Sequence, residues 1–125
     1  MKDKMRFSVK LSDDEKYILC SVTGEFTAAE AQEFTLEIDT VSRESGCKKF
    51  LIDLQDAKNI SNVFENYDFA YKDMSRHNFQ HDARVAILVS PQDHSNDFVE
   101  TVISNAGYSV RVCCDNSDAI AWLEE

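Results

Sequence analysis

The stretch Lys48-Lys-Phe-Leu-Ile-Asp-Leu54 sets two basic residues before an apolar run that one carboxylate, Asp53, interrupts. Short apolar runs without alternation are typical of strands in a sheet that helices cover on both faces. We therefore predict a central strand from Phe50 to Leu54. Asp53 is predicted near the carboxyl end of this strand, which is the edge where open α/β sheets bind their ligands.

The segments before this strand predict an antiparallel hairpin followed by a helix. Apolar residues alternate over 5–11 and 17–23, and the short link between them, with Gly24 closing the pair, favours a hairpin. Thr27-Ala-Ala-Glu30 has the spacing of a capping box, and Gly46 stands where a helix usually stops. We predict a helix between these two signals.

After the central strand, helices and strands are predicted to alternate. A polar connection is predicted over 55–61, and strands over 84–90 and 108–114. Three helices are predicted: one over 62–77, one from Pro91 to Gly107 with Ser90 as its cap, and a short one that begins after Asn116 or Ser117 as its cap. The resulting order is β-β-α-β-α-β-α-β-α. This order predicts an α/β fold with a mixed sheet of about five strands and about four helices, in two or three layers.

The size, charge and composition of the chain favour a single domain over residues 1–125. Hydrophobic residues make up 43% of the 125 residues, and glycine and proline are few, so a substantial core is expected. The net charge of −10 and the scattered basic residues argue against a nucleic-acid partner, which needs clustered Lys and Arg. Because no secretory signal or apolar run of roughly 18 residues is present, we predict a cytoplasmic protein without an integral membrane segment.

The cysteine spacing does not indicate a metal or redox site. Cys20, Cys47, Cys113 and Cys114 form no C-x-x-C pair, so we predict free thiols in a reducing compartment, no metal site and no cofactor. Side chains alternate across a strand, and only one of the adjacent Cys113 and Cys114 is therefore expected to face the core.

Four segments, in this order and spacing, resemble the STAS fold: Val22-Thr-Gly-Glu-Phe-Thr27, Phe50–Leu54, Arg84–Val89 and Asp118–Leu123. Within that fold the chain is similar to the SpoIIAA-like family of small stand-alone bacterial proteins, over about residues 5 to 123. The resemblance implies a non-catalytic binding or regulatory module. Related lipid-transfer folds of similar shape hint at small apolar ligands.

The turn after the central strand departs from the resemblance. Anti-sigma-factor antagonists of the STAS class carry a phosphorylatable serine there, whereas this chain reads Asp53-Leu-Gln-Asp-Ala-Lys-Asn59, with no hydroxyl before Ser61. We therefore do not expect the phosphorylation switch of that class in this chain.

The predicted 62–77 helix carries more aromatic residues than one buried stripe needs. Phe64 and Phe69 do not share a face with Tyr67, so some of these rings are expected to be exposed or to line a groove. We predict that a protein partner, a second copy of the chain or a small apolar ligand binds around this helix and the carboxyl ends of the central strands. The predicted site residues are Asp53, Asn59, Phe64, Tyr67, Tyr71, Ser90 and His94.

An alternative hypothesis makes Asp53 the phosphoacceptor of a receiver-like phosphorelay protein, or the functional carboxylate of a small enzyme. A receiver places an acidic pair beside its acceptor across a metal ion, but Asp13-Asp14 is predicted here in a hairpin turn. His77 and His81 have the spacing of metal ligands on a helix, yet no third ligand is evident nearby, and exposed histidines are the better interpretation.

Overall fold

The structure, a computed structural model, describes residues 4–60, 82–93, 99–105 and 107–125. Within these ranges the elements are, in chain order, β1 (Arg6–Leu11), β2 (Ile18–Phe26), α1 (Ala28–Ser45), β3 (Lys49–Asn59), β4 (Arg84–Leu88), α2 (Val99–Asn105), β5 (Ser109–Cys113) and α3 (Asn116–Glu124). The helix predicted over 62–77 lies outside the described residues. Of the helix predicted from Pro91 to Gly107, residues 91–93 are described as a turn and Val99–Asn105 as α2.

One mixed sheet of five strands has the order β1-β2-β3-β4-β5. β1 is antiparallel to β2, and all other neighbours are parallel. The parallel part arises because α1 carries the chain from the end of β2 back to the start of β3, and α2 lies between β4 and β5. The predicted fold class is confirmed, with three helices in the described part of the chain where about four were predicted for the whole.

A short polar turn joins β1 to β2. The Ser12 hydroxyl donates to Asp14 Oδ1 at 2.6 Å, and the Lys16 amide donates to the same oxygen at 3.1 Å. Both hydrogen bonds favour the charged carboxylate, so the pKa of Asp14 lies below its usual value. The hairpin prediction is confirmed.

The helix α1 begins and ends where the sequence predicts. Thr27 Oγ1 accepts from the Glu30 amide at 3.2 Å, and Glu30 Oε1 accepts from the Thr27 amide at 3.1 Å, which completes the capping box. Gly46 ends the helix at a φ of +78°, a left-handed conformation that glycine adopts without strain. Next to it, the buried Ser42 hydroxyl donates to the Cys47 carbonyl at 2.6 Å and fixes the path into β3.

One face of the sheet, which we call the α1 face, carries the larger part of the core. Phe34 and Ile38 of α1 belong to one buried cluster with strand residues such as Ile18, Ile52 and Ile87. Phe34 is the centre of an aromatic group, since its ring packs edge-on against Phe26 at 5.8 Å between centroids and against Phe7 at 6.1 Å.

The opposite face of the sheet, which we call the α3 face, is covered by the last helix. Ala119 and Leu123 of α3 pack there on Leu51, Ala86 and Leu88. The central strands are thus buried from both sides, as their unbroken apolar runs predict. The architecture is a three-layer sandwich.

One prediction about α3 is wrong in detail. Its N-cap is Asp115 rather than Asn116 or Ser117, and Asp115 Oδ1 accepts from the Ser117 amide at 2.8 Å, because an extended residue with a short carboxylate reaches that amide. Trp122 is half-buried, packs against the cluster of the α3 face and lies against the Arg84 guanidinium at 4.4 Å from the ring centre. The same Arg84 donates to the Glu125 carbonyl at 2.8 Å, which holds the end of the chain on the sheet.

The four thiols are free and differ widely in exposure, which predicts their order of alkylation. Cys114 is exposed, Cys47 is half-buried, and Cys113 and Cys20 are buried, with burial raising the pKa of Cys20 to about 12. Since the thiolate is the reactive form, iodoacetamide at pH 8 is expected to modify Cys114 first, Cys47 more slowly, and the other two only after unfolding. Intact-mass measurement against time tests this, and a fast first adduct that survives Cys114→Ser would contradict it.

Candidate functional site

The predicted site residues fall into two groups. Asp53, Asn59 and Ser90 are described: Asp53 lies in the middle of β3, Asn59 at its carboxyl end, and Ser90 just after β4. Phe64, Tyr67, Tyr71 and His94 lie outside the described residues, and so do His77 and His81. The aromatic part of the predicted site therefore stays a prediction.

Asp53 lies within β3 rather than at its end. Its backbone is paired with Ser21 of β2 on one side and Leu88 of β4 on the other. The half-buried side chain accepts a hydrogen bond from the Gln55 amide at 3.0 Å, which is a local use of the carboxylate. Asp53 is nevertheless the last residue of β3 that pairs with β4, so it marks the edge where the sheet narrows.

Ser90 follows β4 in a tight turn and not at a helix cap as predicted. Its carbonyl accepts from the Asp93 amide at 3.0 Å, and its hydroxyl donates to Gln92 Oε1 at 2.9 Å. Pro91 occupies the second position of this turn, whose backbone angle proline fits as well as it fits the first turn of a helix. By strand geometry, Ser90 lies on the same face as Asp53, with roughly 8 Å between their Cα atoms.

Asn59 is too far from Asp53 to share a small-molecule pocket with it. It ends β3 and is buried on the α1 side, roughly 20 Å from Asp53 along the strand. The structure therefore brings Asp53 and Ser90 together and leaves Asn59 apart.

The polar segment predicted as a connection over 55–61 is in fact strand as far as Asn59. Residues 56–59 of β3 pair in parallel with residues 23–26 of β2, beyond the point where β4 stops. The prediction that Gly24 closes the hairpin is wrong for the same reason, since β2 continues through it to Phe26. We call these two paired segments, 23–26 and 56–59, the projection.

The projection has one buried and one exposed face. Phe26, Ala57 and Asn59 are buried on the α1 side, whereas Asp56 and Lys58 are exposed on the other. Polar residues thus alternate with buried ones, which is the pattern of a strand with one wet face. Because the buried Asn59 is itself polar, the sequence of 56–59 shows only one apolar residue, Ala57, and does not by itself predict a strand.

A register shift separates the projection from the rest of the sheet. Ser21 pairs with Asp53, but Thr23 pairs with Asp56, so β3 holds one extra residue at this point. Such bulges twist a strand and redirect its side chains. The exposed face of the projection presents the cross-strand partners Glu25 and Lys58 beside Asp56, and the exposed Ile60 follows at its tip.

A cleft of about 640 Å³ lies at the other end of the sheet, where β3 begins. Its lining includes Cys47 and Lys49, together with Lys16, which faces Glu124 at 3.9 Å. Lys48, also in the lining, is paired with Asp82 at 2.5 Å, and this ion pair lowers the pKa of Asp82. The cleft is open and carries charges of both signs. It contains none of the residues predicted for the site.

Among the described residues, the acidic pair that a receiver needs does not lie beside Asp53. Asp13 and Asp14 lie in the turn between β1 and β2, at the end of the sheet where Ile18 pairs with Phe50. Asp53 lies further along the strand and faces Ser21 and Leu88 instead. In the described ranges, His, Cys, Asp and Glu side chains form no group of three that could hold a metal ion.

The helices of the described part include none that is long and apolar enough to cross a membrane.

Sequence comparison gives no assignment, because no family model matches the chain and no curated protein is significantly similar to it. Structure comparison, in contrast, finds proteins with a similar fold. An anti-sigma factor antagonist from Mycobacterium paratuberculosis superposes with a TM-score of 0.64 at 12% identity, over 98% of this chain and 96% of that one. SpoIIAA in its unphosphorylated form gives 0.59 at 12% identity, over 95% and 96%.

A third similar structure is an uncharacterised protein with a SpoIIAA-like fold from Shewanella loihica. Its TM-score is 0.57 at 19% identity, over 98% of this chain and 95% of that one. The described chain is thus an α/β sandwich with the SpoIIAA-like fold. At these identities the likeness extends to the fold alone.

Proposed function

We propose that this chain is a non-catalytic module that binds a protein partner through the exposed face of the projection. The observation that carries the proposal is the extension of β2 and β3 beyond β4. This extension places Glu25, Asp56 and Lys58 side by side on paired strands, with Asp56 and Lys58 exposed and Glu25 half-buried and bridged to Lys4. Charges held on a strand support specific docking, because their spacing is fixed before the partner arrives.

The structural neighbours support a protein as the partner. Two of them are named as anti-sigma factor antagonists, and that name implies that their target is another protein. Asp53 and Ser90 lie next to the projection, where β4 ends, and we include them in the proposed contact surface. A cytoplasmic location is proposed as well, and the four free thiols support a reducing compartment.

A charge swap on the projection tests the proposal. Tagged wild-type chain and an Asp56→Lys, Lys58→Glu variant are used to capture proteins from the native host, and the captured partner is then purified and titrated. The swap keeps the net charge and inverts the local pattern, so partner affinity is expected to fall at least about tenfold. A matched control, Glu37→Lys with Arg43→Glu on the exposed side of α1, is expected to bind like the wild type.

Two results would contradict this use of the projection. One is a purified partner that binds the swapped variant as tightly as the wild type, with both variants folded by circular dichroism. The other is native mass spectrometry of the chain, purified from its own host, that finds a lipid-sized mass bound or a stable homodimer without another protein. Those outcomes would favour the apolar-ligand or self-association hypotheses, which rest on Tyr67 and its neighbours.

A further inference from the structure

The strand β1 forms one edge of the sheet and has a single neighbour. It pairs with β2, and in the ranges that the structure describes no other strand pairs with its outer side. An edge strand of this kind presents backbone N–H and C=O groups to which another extended chain can add. The side chains of β1 decide which chain fits.

The face of β1 turned away from α1 is basic. Arg6, Ser8 and Lys10 alternate there and are exposed. The residues opposite them on β2 are Thr23, Ser21 and Leu19, none of which is acidic. Among the described residues neither Arg6 nor Lys10 forms an ion pair, although the whole chain has a net charge of −10.

The other face of β1 is apolar. Phe7 is 36% exposed and Val9 is half-buried, both beside α1. A strand added outside β1 therefore meets cations on one face and apolar side chains on the other. Its own side chains have to alternate in the same way, because neighbouring strands share their faces.

A second copy of β1 fits this edge poorly. Antiparallel pairing centred on Ser8 sets each Arg6 opposite the other copy's Lys10, and in-register parallel pairing sets each cation beside itself. Like charges directly across a sheet are destabilising. The edge therefore favours a partner strand that carries carboxylates over a second copy of β1.

We propose that the outer edge of β1 binds an extended acidic segment of a partner polypeptide as an added antiparallel strand. The segment places carboxylates opposite Arg6 and Lys10, which are roughly 13 Å apart along the strand. A small residue lies between them opposite Ser8, and apolar residues face Phe7 and Val9. Arg6 pairs with Thr23 at the start of the projection, but the outer edge of β1 lies on the far side of β2 from Asp56 and Lys58.

A designed peptide tests the proposal without a known partner. Its core is Glu-Val-Thr-Val-Glu, capped at both ends, and its binding to the full chain is followed by calorimetry at low and high salt. Saturable binding is expected that weakens with salt, since exposed charge pairs are screened. Hydrogen exchange is expected to slow at the amides of β1 when the peptide is bound, and to stay unchanged in α3.

Charge reversal provides the matched control. Arg6→Glu with Lys10→Glu is expected to weaken binding of the acidic peptide at least about tenfold, and a Lys-Val-Thr-Val-Lys peptide is expected to bind that variant instead. The projection swap Asp56→Lys, Lys58→Glu is expected to leave peptide binding unchanged. This separates failure of the edge proposal from failure of the proposed function.

Three outcomes would overturn the edge proposal. They are no saturable binding at millimolar peptide, binding that charge reversal does not alter, and binding without protection of the β1 amides. A purely protective role for the basic residues, which keep sheet edges from pairing in many proteins, makes a different prediction. In that case Arg6→Thr with Lys10→Thr self-associates and the wild type ignores the acidic peptide.

Discussion

Replacing Leu123 by alanine is expected to lower the free energy of unfolding by about 2–5 kcal/mol. The side chain is 1% exposed and belongs to the buried cluster on the α3 face, with Leu51, Ala86 and Leu88. In the described part of the chain, α3 is the one helix of this cluster. A cavity in the last turn of α3 therefore weakens the attachment of the whole outer layer to the central strands.

Urea unfolding followed by circular dichroism measures this loss, provided that the slope of the transition stays constant. Leu36→Ala is the matched control, since it deletes the same atoms from a side chain that is 39% exposed on α1. The control is expected to change stability by less than about 1 kcal/mol. If Leu123→Ala lowers the free energy of unfolding no more than Leu36→Ala does, the attachment of α3 does not depend on Leu123.

The sequence predicts most of the scaffold because several of its signals act locally. The capping box from Thr27 to Glu30 needs only side chains and amides within one turn, and Gly46 needs only its own freedom at positive φ. The apolar run from Phe50 to Leu54, which only Asp53 interrupts, identifies a strand buried on both faces, because adjacent apolar residues such as Leu51 and Ile52 point to opposite faces of the sheet.

The parts that sequence reasoning missed depend on tertiary neighbours. The polar residues from Gln55 to Lys58 form a strand because β2 continues alongside them, and nothing within the segment itself reports that partner. Pro91 suits a turn and a helix start equally well, so the choice falls to the surroundings. Trp122 packs partly on the α3-face cluster and partly against the Arg84 guanidinium, which lies far from it in sequence.

The candidate site shows the same division. Asp53 and Ser90 are close to one another because Asp53 is the last residue of β3 that pairs with β4, and Ser90 follows the end of β4. The sequence predicts this proximity because it predicts that the two strands are neighbours. Asn59 was predicted for the same place because β3 was expected to end near Leu54. The five further residues of β3 carry Asn59 away and create the projection, which is the main feature of the proposed interface.

Replacing Phe34 by alanine is expected to cost about 3–5 kcal/mol of stability. This ring is 4% exposed and packs edge-on against both Phe26 of β2 and Phe7 of β1. It thereby ties α1 to the hairpin that contains the β1 edge and to the last residue of β2 in the projection. Phe34→Leu keeps most of the buried apolar area and loses the ring contacts, which are worth about 0.5–1.5 kcal/mol each, so a smaller loss is expected.

A double-mutant cycle with Phe7→Ala separates the ring contact from general burial. Phe7 is more exposed than Phe34, so its single replacement is expected to cost roughly 1 kcal/mol, and the coupling energy of the pair about 0.5–1.5 kcal/mol. Purely additive losses would show that the edge-on geometry contributes nothing beyond the area it buries. Positive coupling would show that the edge-on contact itself stabilises the packing of α1 on β1, at the strand that carries the proposed binding edge.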